Sequence, residues 1–405
     1  MQTSNDMRAA RFVAGVGSVV ALCILGDSLM YSILPLAAPE LGIALPLVGV
    51  LLSANRLIRL LSNSWAGALF ERWGPRRPFT AATVLSLLTT SLYMVGSVFG
   101  LFLVARAGWG IAWSALRQGG YTAVWTGSGR VKGRLTGLLW GLVRFGSASS
   151  VLVGGVIFDN YGYRAAVGVI AGVTALAMPV ALTLPWDKMT PHADGPQRTP
   201  GVASLRAGWR DVIVNPARRS LTLAGMTGHL VNGIVLSTTS LFLAARLADG
   251  AQFGLLGVGA LSGLMLGTRW MSDMVLGPAF GYLSDRIGQP NTALMLALVY
   301  AVAMVGVVAL PTGLAVAALL LVFICDGGIY IAVSAAATGA ALRAPSPHQF
   351  VAVFTTATDG GSALGPLLAF SLAQAVGLPT LYLVGGALVL VMVAAYWRTA
   401  RVSTA

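Results

Sequence analysis

Ten charged side chains interrupt the long apolar runs of this chain: Asp27, Arg56, Arg59, Arg106, Arg117, Arg144, Arg269, Asp273, Asp326 and Asp359. A charge in the middle of a bilayer costs several kcal/mol, about 2.5–3.5 for Arg or Asp on insertion scales. So many in one chain point to a polar cavity or gate between helices. Asp27 has Tyr31 one helical turn later, and Arg106 falls at a similar depth on another run. Burial disfavours a carboxylate's charge and a nearby guanidinium restores it. Such a pair can load a proton in one state and release it in another, or it can be a static ion pair that joins two helices. Asp326 repeats the theme, with Tyr330 four residues on. Arg56 and Arg269 are a different device. Two guanidinium forks facing one cavity suit a carboxylate or phosphate, although both can also belong to a gate's charge network.

Other chemistry is poorly represented. Two cysteines, Cys23 and Cys325, lie in apolar runs, and three histidines are scattered. No metal-ligand spacing, disulfide framework, Ser–His–Asp set or HExxH pattern is present. The chain is therefore not expected to be an enzyme or to carry a cofactor. His229 and Asn232 share a face and read as helix-to-helix contacts.

The elements that must hold these charges are membrane spans. Of 405 residues, 56% are hydrophobic and 10% charged, against about 25% charged in soluble proteins, and the mean hydropathy is +0.80. A hydrocarbon core of ~30 Å needs about 20 apolar residues. Runs of that length cover 13–37, 45–66, 78–98, 100–124, 136–158, 165–185, 221–245, 252–280, 292–311, 313–341, 351–376 and 379–397. This predicts an all-α membrane protein of twelve helices: a bundle over 1–185, a linker over 186–220 and a second bundle over 221–405. No cleavable leader is expected, because the first run is long enough to span.

Sidedness follows from the basic residues. With the N-terminus inside, eighteen of the 26 Lys and Arg, among them Arg8, Arg72, Arg76, Arg77, Arg134 and Arg343, fall in inner segments, against Arg164 and Arg246 outside. The positive-inside rule then puts both termini in the cytoplasm, as in a bacterial inner-membrane protein. The net charge of +13 is a topology signal, and no nucleic-acid partner is expected.

An internal repeat supplies a ruler. GALFERWGPRRP over 67–78 has a fainter copy over 281–288, GYLSDRIG, 214 positions later. On that spacing Arg59 matches Asp273, Arg144 matches Asp359 within a residue, and Arg56 matches Arg269 within a residue.

The stretch resembles the loop motif of the major facilitator superfamily, carried here by Gly67, Leu69, Glu71, Arg72, Gly74, Arg76 and Arg77 between the second and third spans. Arg106 to Gly110 is similar to that family's fourth-span signature, as are Gly154-Gly155 and Gly361 to Pro366 on spans 5 and 11. Glu71 stands where the family has Asp, Gln289-Pro290-Asn291 replaces the second set of basic residues, and span 5 lacks the Gly-Pro of drug antiporters. The resemblance implies two pseudo-symmetric six-helix bundles that rock about a central site. It also implies that span 2 faces span 11 and span 5 faces span 8. Arg59 would then meet Asp359, and Arg144 would meet Asp273, as a cytoplasmic gate, with Gly67, Glu71, Arg72 and Arg76 as a latch. The implied function is a monomeric secondary transporter of a small organic molecule, proton-coupled through Asp27 and Arg106 and exporting, with substrate meeting Asp27, Tyr31, Arg56, Arg269, Asp326 and Tyr330. An anion carrier built on Arg56 and Arg269 is the alternative, and a transporter-like ligand sensor the third.

Overall fold

The computed structural model describes residues 2–95, 98–127, 131–189, 202–247, 256–345 and 347–402. Within them are fifteen α-helices: α1 (Gln2–Cys23), α2 (Leu25–Ala37), α3 (Leu45–Trp73), α4 (Arg76–Leu92), α5 (Phe99–Trp125), α6 (Lys132–Ala175), α7 (Ala177–Thr183), α8 (Trp186–Met189), α9 (Val202–Val214), α10 (Pro216–Arg246), α11 (Val258–Ile287), α12 (Gln289–Ala309), α13 (Thr312–Leu342), α14 (Pro347–Val376) and α15 (Leu378–Val402). Long helices are the expected solution in lipid, where every backbone N–H and C=O must be bonded within the chain.

Among the described residues nine stretches are long and apolar enough to cross a membrane. One, Arg134–Thr183, is 50 residues long and is two spans joined at a bend, since Gly162 has φ 79° inside α6. α11 and α14 are not among the nine. They carry Arg269, Asp273 and Asp359, so the charges that mark them as functional also lower their hydropathy. With these two and both limbs of the hairpin the total is the expected twelve.

The turns repeat as the sequence does. Gly74 and Gly288, 214 positions apart, have φ of 70° and 88°, and Gly162 and Gly377, 215 apart, have 79° and 77°. The left-handed region is open to glycine at no steric cost, so each pair ends an equivalent helix. The 67–78 stretch is not itself a loop. α3 continues helically to Trp73 and α4 begins at Arg76, leaving a two-residue turn at Gly74 and Pro75. The expected boundary at 66 is seven residues early, as is the one at 280, because a helix leaving the hydrocarbon stops only where glycine breaks it. The Glu71 side chain lies outside the described residues.

The chain forms two compact units, Met1–Pro196 with Leu247–Trp270, and Gln197–Arg246 with Met271–Ala405. The division passes through α11, whose first half packs with the first unit. In that unit Trp186 of α8 is fully buried, its ring 4.9 Å from Phe12 and 5.1 Å from Phe79. A tryptophan near a span end suggests a place in an interfacial aromatic belt, and this packing puts Trp186 inside the unit instead. In the second unit α10 and α14 approach at glycines: a Cβ on Gly365 would lie 2.5 Å from the Leu230 carbonyl oxygen. Residues 190–201 of the expected linker lie outside the described residues, but the linker also contains α9, which composition alone does not reveal.

Candidate functional site

The first unit holds a charged cluster built from α2, α3 and α5. Gly26 brings α2 against α4, since a Cβ there would meet Thr90 at 2.5 Å, and Asp27 follows it. Arg106 of α5 is fully buried. Its Nη1 donates to Asp27 Oδ1 at 2.5 Å and its Nε to the Leu51 carbonyl at 2.9 Å. The Tyr93 hydroxyl lies 3.4 Å from the same Nη1. Asn55 Nδ2 donates to Asp27 Oδ1 as well, at 2.8 Å. The Asp27 side chain is 14% exposed and the Arg106 side chain not at all. The carboxylate is thus held by two donors, yet only its cationic partner is sealed from access.

Tyr31 lies beneath both arginines. Arg56 sits 5.2 Å and Arg106 5.7 Å from its ring centroid, within the range of cation–π attraction. Its hydroxyl donates to the Leu52 carbonyl at 3.3 Å, and the residue is 3% exposed. The structure therefore gives Tyr31 the geometry of a support under two guanidinium groups. Arg59, Arg144 and Arg269 also belong to this unit, Arg269 being buried.

The second unit repeats the carboxylate–amide arrangement. Asn232 of α10 donates from Nδ2 to Asp326 Oδ2 of α13 at 2.7 Å. His229, one turn earlier, has Nδ1 3.0 Å from Ser362 Oγ and its ring edge-on to Tyr330, centroids 5.5 Å apart. Tyr330 is 43% exposed. Asp273 and Asp359 lie in this unit too, so each expected gate pair draws one residue from each unit. Selection by charge passes over Asn55, Asn232 and Ser362. The signal that finds the two amides is their place three or four residues from another polar group on the same helix, Asn55 before Arg59 and Asn232 after His229.

Two further contacts in the first unit are not anticipated by the sequence. Asp159, at the end of span 5, accepts from the backbone N–H of Gly259 at 2.9 Å and of Ala260 at 2.7 Å, capping the start of α11. Below that cap α6 and α11 nearly touch, because a Cβ on Gly155 would lie 2.4 Å from the Gly259 oxygen and one on Gly263 2.1 Å from the Val151 oxygen. Arg76, expected in a latch, pairs with Asp187 of α8 at 3.0 Å, both largely exposed. Such a pair contributes little, ~0–1 kcal/mol.

A family model described as Major Facilitator Superfamily matches residues 16–354. The chain belongs to the Major Facilitator Superfamily. Its members are transporters and not enzymes, and the chain is accordingly a multi-pass integral membrane protein. Among curated proteins, the chromaffin granule amine transporter of Rattus norvegicus is 25% identical over 181 residues, 44% of this chain. The match spans about a third of that relative's length, 34%. Two solved structures share the fold across nearly their whole length. One is the nucleoside transporter NupG (TM-score 0.78, 12% identity, 96% of this chain and 98% of that one). The other is a bacterial homologue of the human lysosomal transporter Spinster (TM-score 0.76, 14% identity, 97% of each). Identities this low speak for the fold alone, an all-α major facilitator architecture.

Proposed function

We propose that this superfamily member is a proton-coupled secondary transporter that exports a small organic molecule by alternating access. The bundles that move are 1–185 and 221–405, joined through 186–220. It works as a monomer in the bacterial inner membrane with both termini cytoplasmic. The observation that carries the reading is the Asp27 carboxylate, accessible at its own side chain while Arg106 beside it is sealed. Protonation from an open cavity would neutralise Asp27 and release its donors, and deprotonation would restore the ion pair. Asp326, held by Asn232, is the second proton site.

An organic amine is the substrate class best supported. Asp326 and the exposed ring of Tyr330 offer a cation an anionic and an aromatic partner, and the rat relative is named as an amine transporter. Arg59 with Asp359 and Arg144 with Asp273 are proposed to close the cytoplasmic side, and Arg56 with Arg269 to serve that network. Proteoliposomes carrying an imposed pH gradient test the whole reading. Amine-dependent proton flux that vanishes in Asp27→Asn is the expected result. Amine binding without flux in the unaltered protein would make it a sensor, and flux driven by an anion would transfer the role to Arg56 and Arg269.

A further inference from the structure

We infer that α9 and the start of α14 form a binding site for an anionic phospholipid of the surrounding bilayer. α10, which follows α9 after Asn215, is 31 residues long, about 46 Å at 1.5 Å per residue. That exceeds a hydrocarbon core of ~30 Å, so the Pro216 end, with Arg218 and Arg219 in its first turn, stands among lipid headgroups. α9 lies at that depth. One side is packed: Val212 is buried and a Cβ on Gly208 would meet the Gln349 side chain at 3.1 Å. The other side carries Trp209, Ile213 and Val214, which are 40%, 58% and 70% exposed. Trp at the edge of an exposed apolar face is what a helix lying in the membrane interface presents.

Beside this face is a cavity of about 530 Å³, with Arg210, Val214, Pro216, Pro345, Gln349 and Phe350 in its lining. Its charge balance is one-sided. Asp211, also in the lining, is ion-paired with Arg218, and Arg218 donates in addition to the Arg343 carbonyl at 3.0 Å. That leaves Arg210, which has no ion pair among the described residues, as the uncompensated cation on an otherwise apolar and amide wall. A phosphate diester on Arg210 with acyl chains along Val214 and Pro216 satisfies both parts. A zwitterionic lipid would bring a second cation to Arg210 and gain less. The inference rests only on the chain being embedded in a bilayer, so it stands or falls apart from the transport reading.

The full chain, purified in a neutral detergent, is to be equilibrated with phosphatidylglycerol or phosphatidylcholine and the retained lipid counted by native mass spectrometry. Phosphatidylglycerol is expected to be retained preferentially, with the preference falling about fivefold in Arg210→Ala, the effect of one surface cation on an anionic lipid. Arg210→Lys should preserve it, and Val214→Asp, which charges the apolar wall, should abolish it. Arg77→Ala, in the other unit, should leave it unchanged. Equal retention of the two lipids, an unaltered preference in Arg210→Ala, or displacement by inorganic phosphate as effective as by lipid would each overturn the proposal.

Discussion

Arg106 and Asp27 form an ion pair at 2.5 Å in which the arginine is completely enclosed and the aspartate is not. Removing one member of a buried pair strands the other, at a typical cost of ~3–5 kcal/mol, whereas replacing both by neutral groups of similar volume is much milder. Arg106→Gln is therefore expected to lower the unfolding temperature in detergent strongly. Asp27→Asn with Arg106→Gln should recover most of that loss, because Asn55 and Tyr93 can still bond to amides. If the double variant were as unstable as the single one, the pair would not be the source of the cost.

Proton coupling is read from Asp27→Asn by comparing transport modes in the same folded preparation. An amide at 27 still accepts from Asn55 and Arg106 through its oxygen, but the enclosed Arg106 loses its counter-charge, so the unfolding temperature should fall as well. Ligand binding should remain within a few-fold of the unaltered protein, and transport driven by a pH gradient should fall to background. Counterflow, which needs exchange but no net proton movement, is expected to survive. Loss of counterflow as well would mean that Asp27 holds the fold or the substrate, and retained uphill transport would give the coupling to Asp326.

How far these sites are legible in the sequence depends on the kind of signal. Charges in apolar runs announce themselves through their cost, and Asp27, Arg106 and Asp326 are found that way. The repeat is equally visible, and Gly74 with Gly288 and Gly162 with Gly377 give it a backbone basis. The amides are harder. Asn55 and Asn232 carry no charge, so a search for charges in apolar runs passes over them, yet they are donors that hold the two aspartates. Trp186 is misplaced for a related reason: a tryptophan at a span end looks interfacial unless it is known that α8 folds back between Phe12 and Phe79. Helix ends are misread where polar residues continue a helix beyond the lipid, as in 67–73.

The turn glycines make a conformational prediction. Gly74 (φ 70°, ψ 170°) and Gly288 (φ 88°, ψ 145°) combine positive φ with an extended ψ. That region is essentially reserved for glycine, and a side chain there costs roughly 1–3 kcal/mol. Gly74→Ala and Gly288→Ala should therefore each lower the unfolding temperature, and Gly74→Asn should fare no better. A Cβ on Gly281, by contrast, would meet nothing within 4 Å. Gly281→Ala should be neutral or slightly stabilising, as alanine favours helix by ~1 kcal/mol over glycine. The same measurement on all four variants decides whether the turn or the helix before it carries the constraint of the motif.

The gate pairs call for charge reversal. Arg59→Asp alone places like charges on both sides of the proposed Arg59–Asp359 contact, and Asp359→Arg alone does the same with the opposite sign. Each is expected to reduce transport at least tenfold, and the double exchange to recover a large part of it. The same design applies to Arg144 with Asp273. Arg269 lies four residues before Asp273 on α11, where i,i+4 neighbours attract weakly, by ~0.2–0.5 kcal/mol. If Asp273 served only Arg269, exchange with Arg144 would bring no recovery, and Arg269→Ala would reproduce the Asp273→Ala defect.

The contact between α6 and α11 gives the last test. Asp159 satisfies two of the backbone N–H groups left open at the start of α11, and loss of such a cap costs ~0.5–2 kcal/mol. Just beyond it, Gly263 leaves no room for a methyl group against the Val151 carbonyl, and overpacking typically costs ~1–3 kcal/mol. Asp159→Ala should therefore loosen this contact without filling it, and Gly263→Val should force it apart. If the contact belongs to one state of the transport cycle, Gly263→Val should slow transport at least tenfold with little loss of folded protein. If the contact is a permanent part of the scaffold, the same variant should lower the unfolding temperature and the folded yield in step with transport.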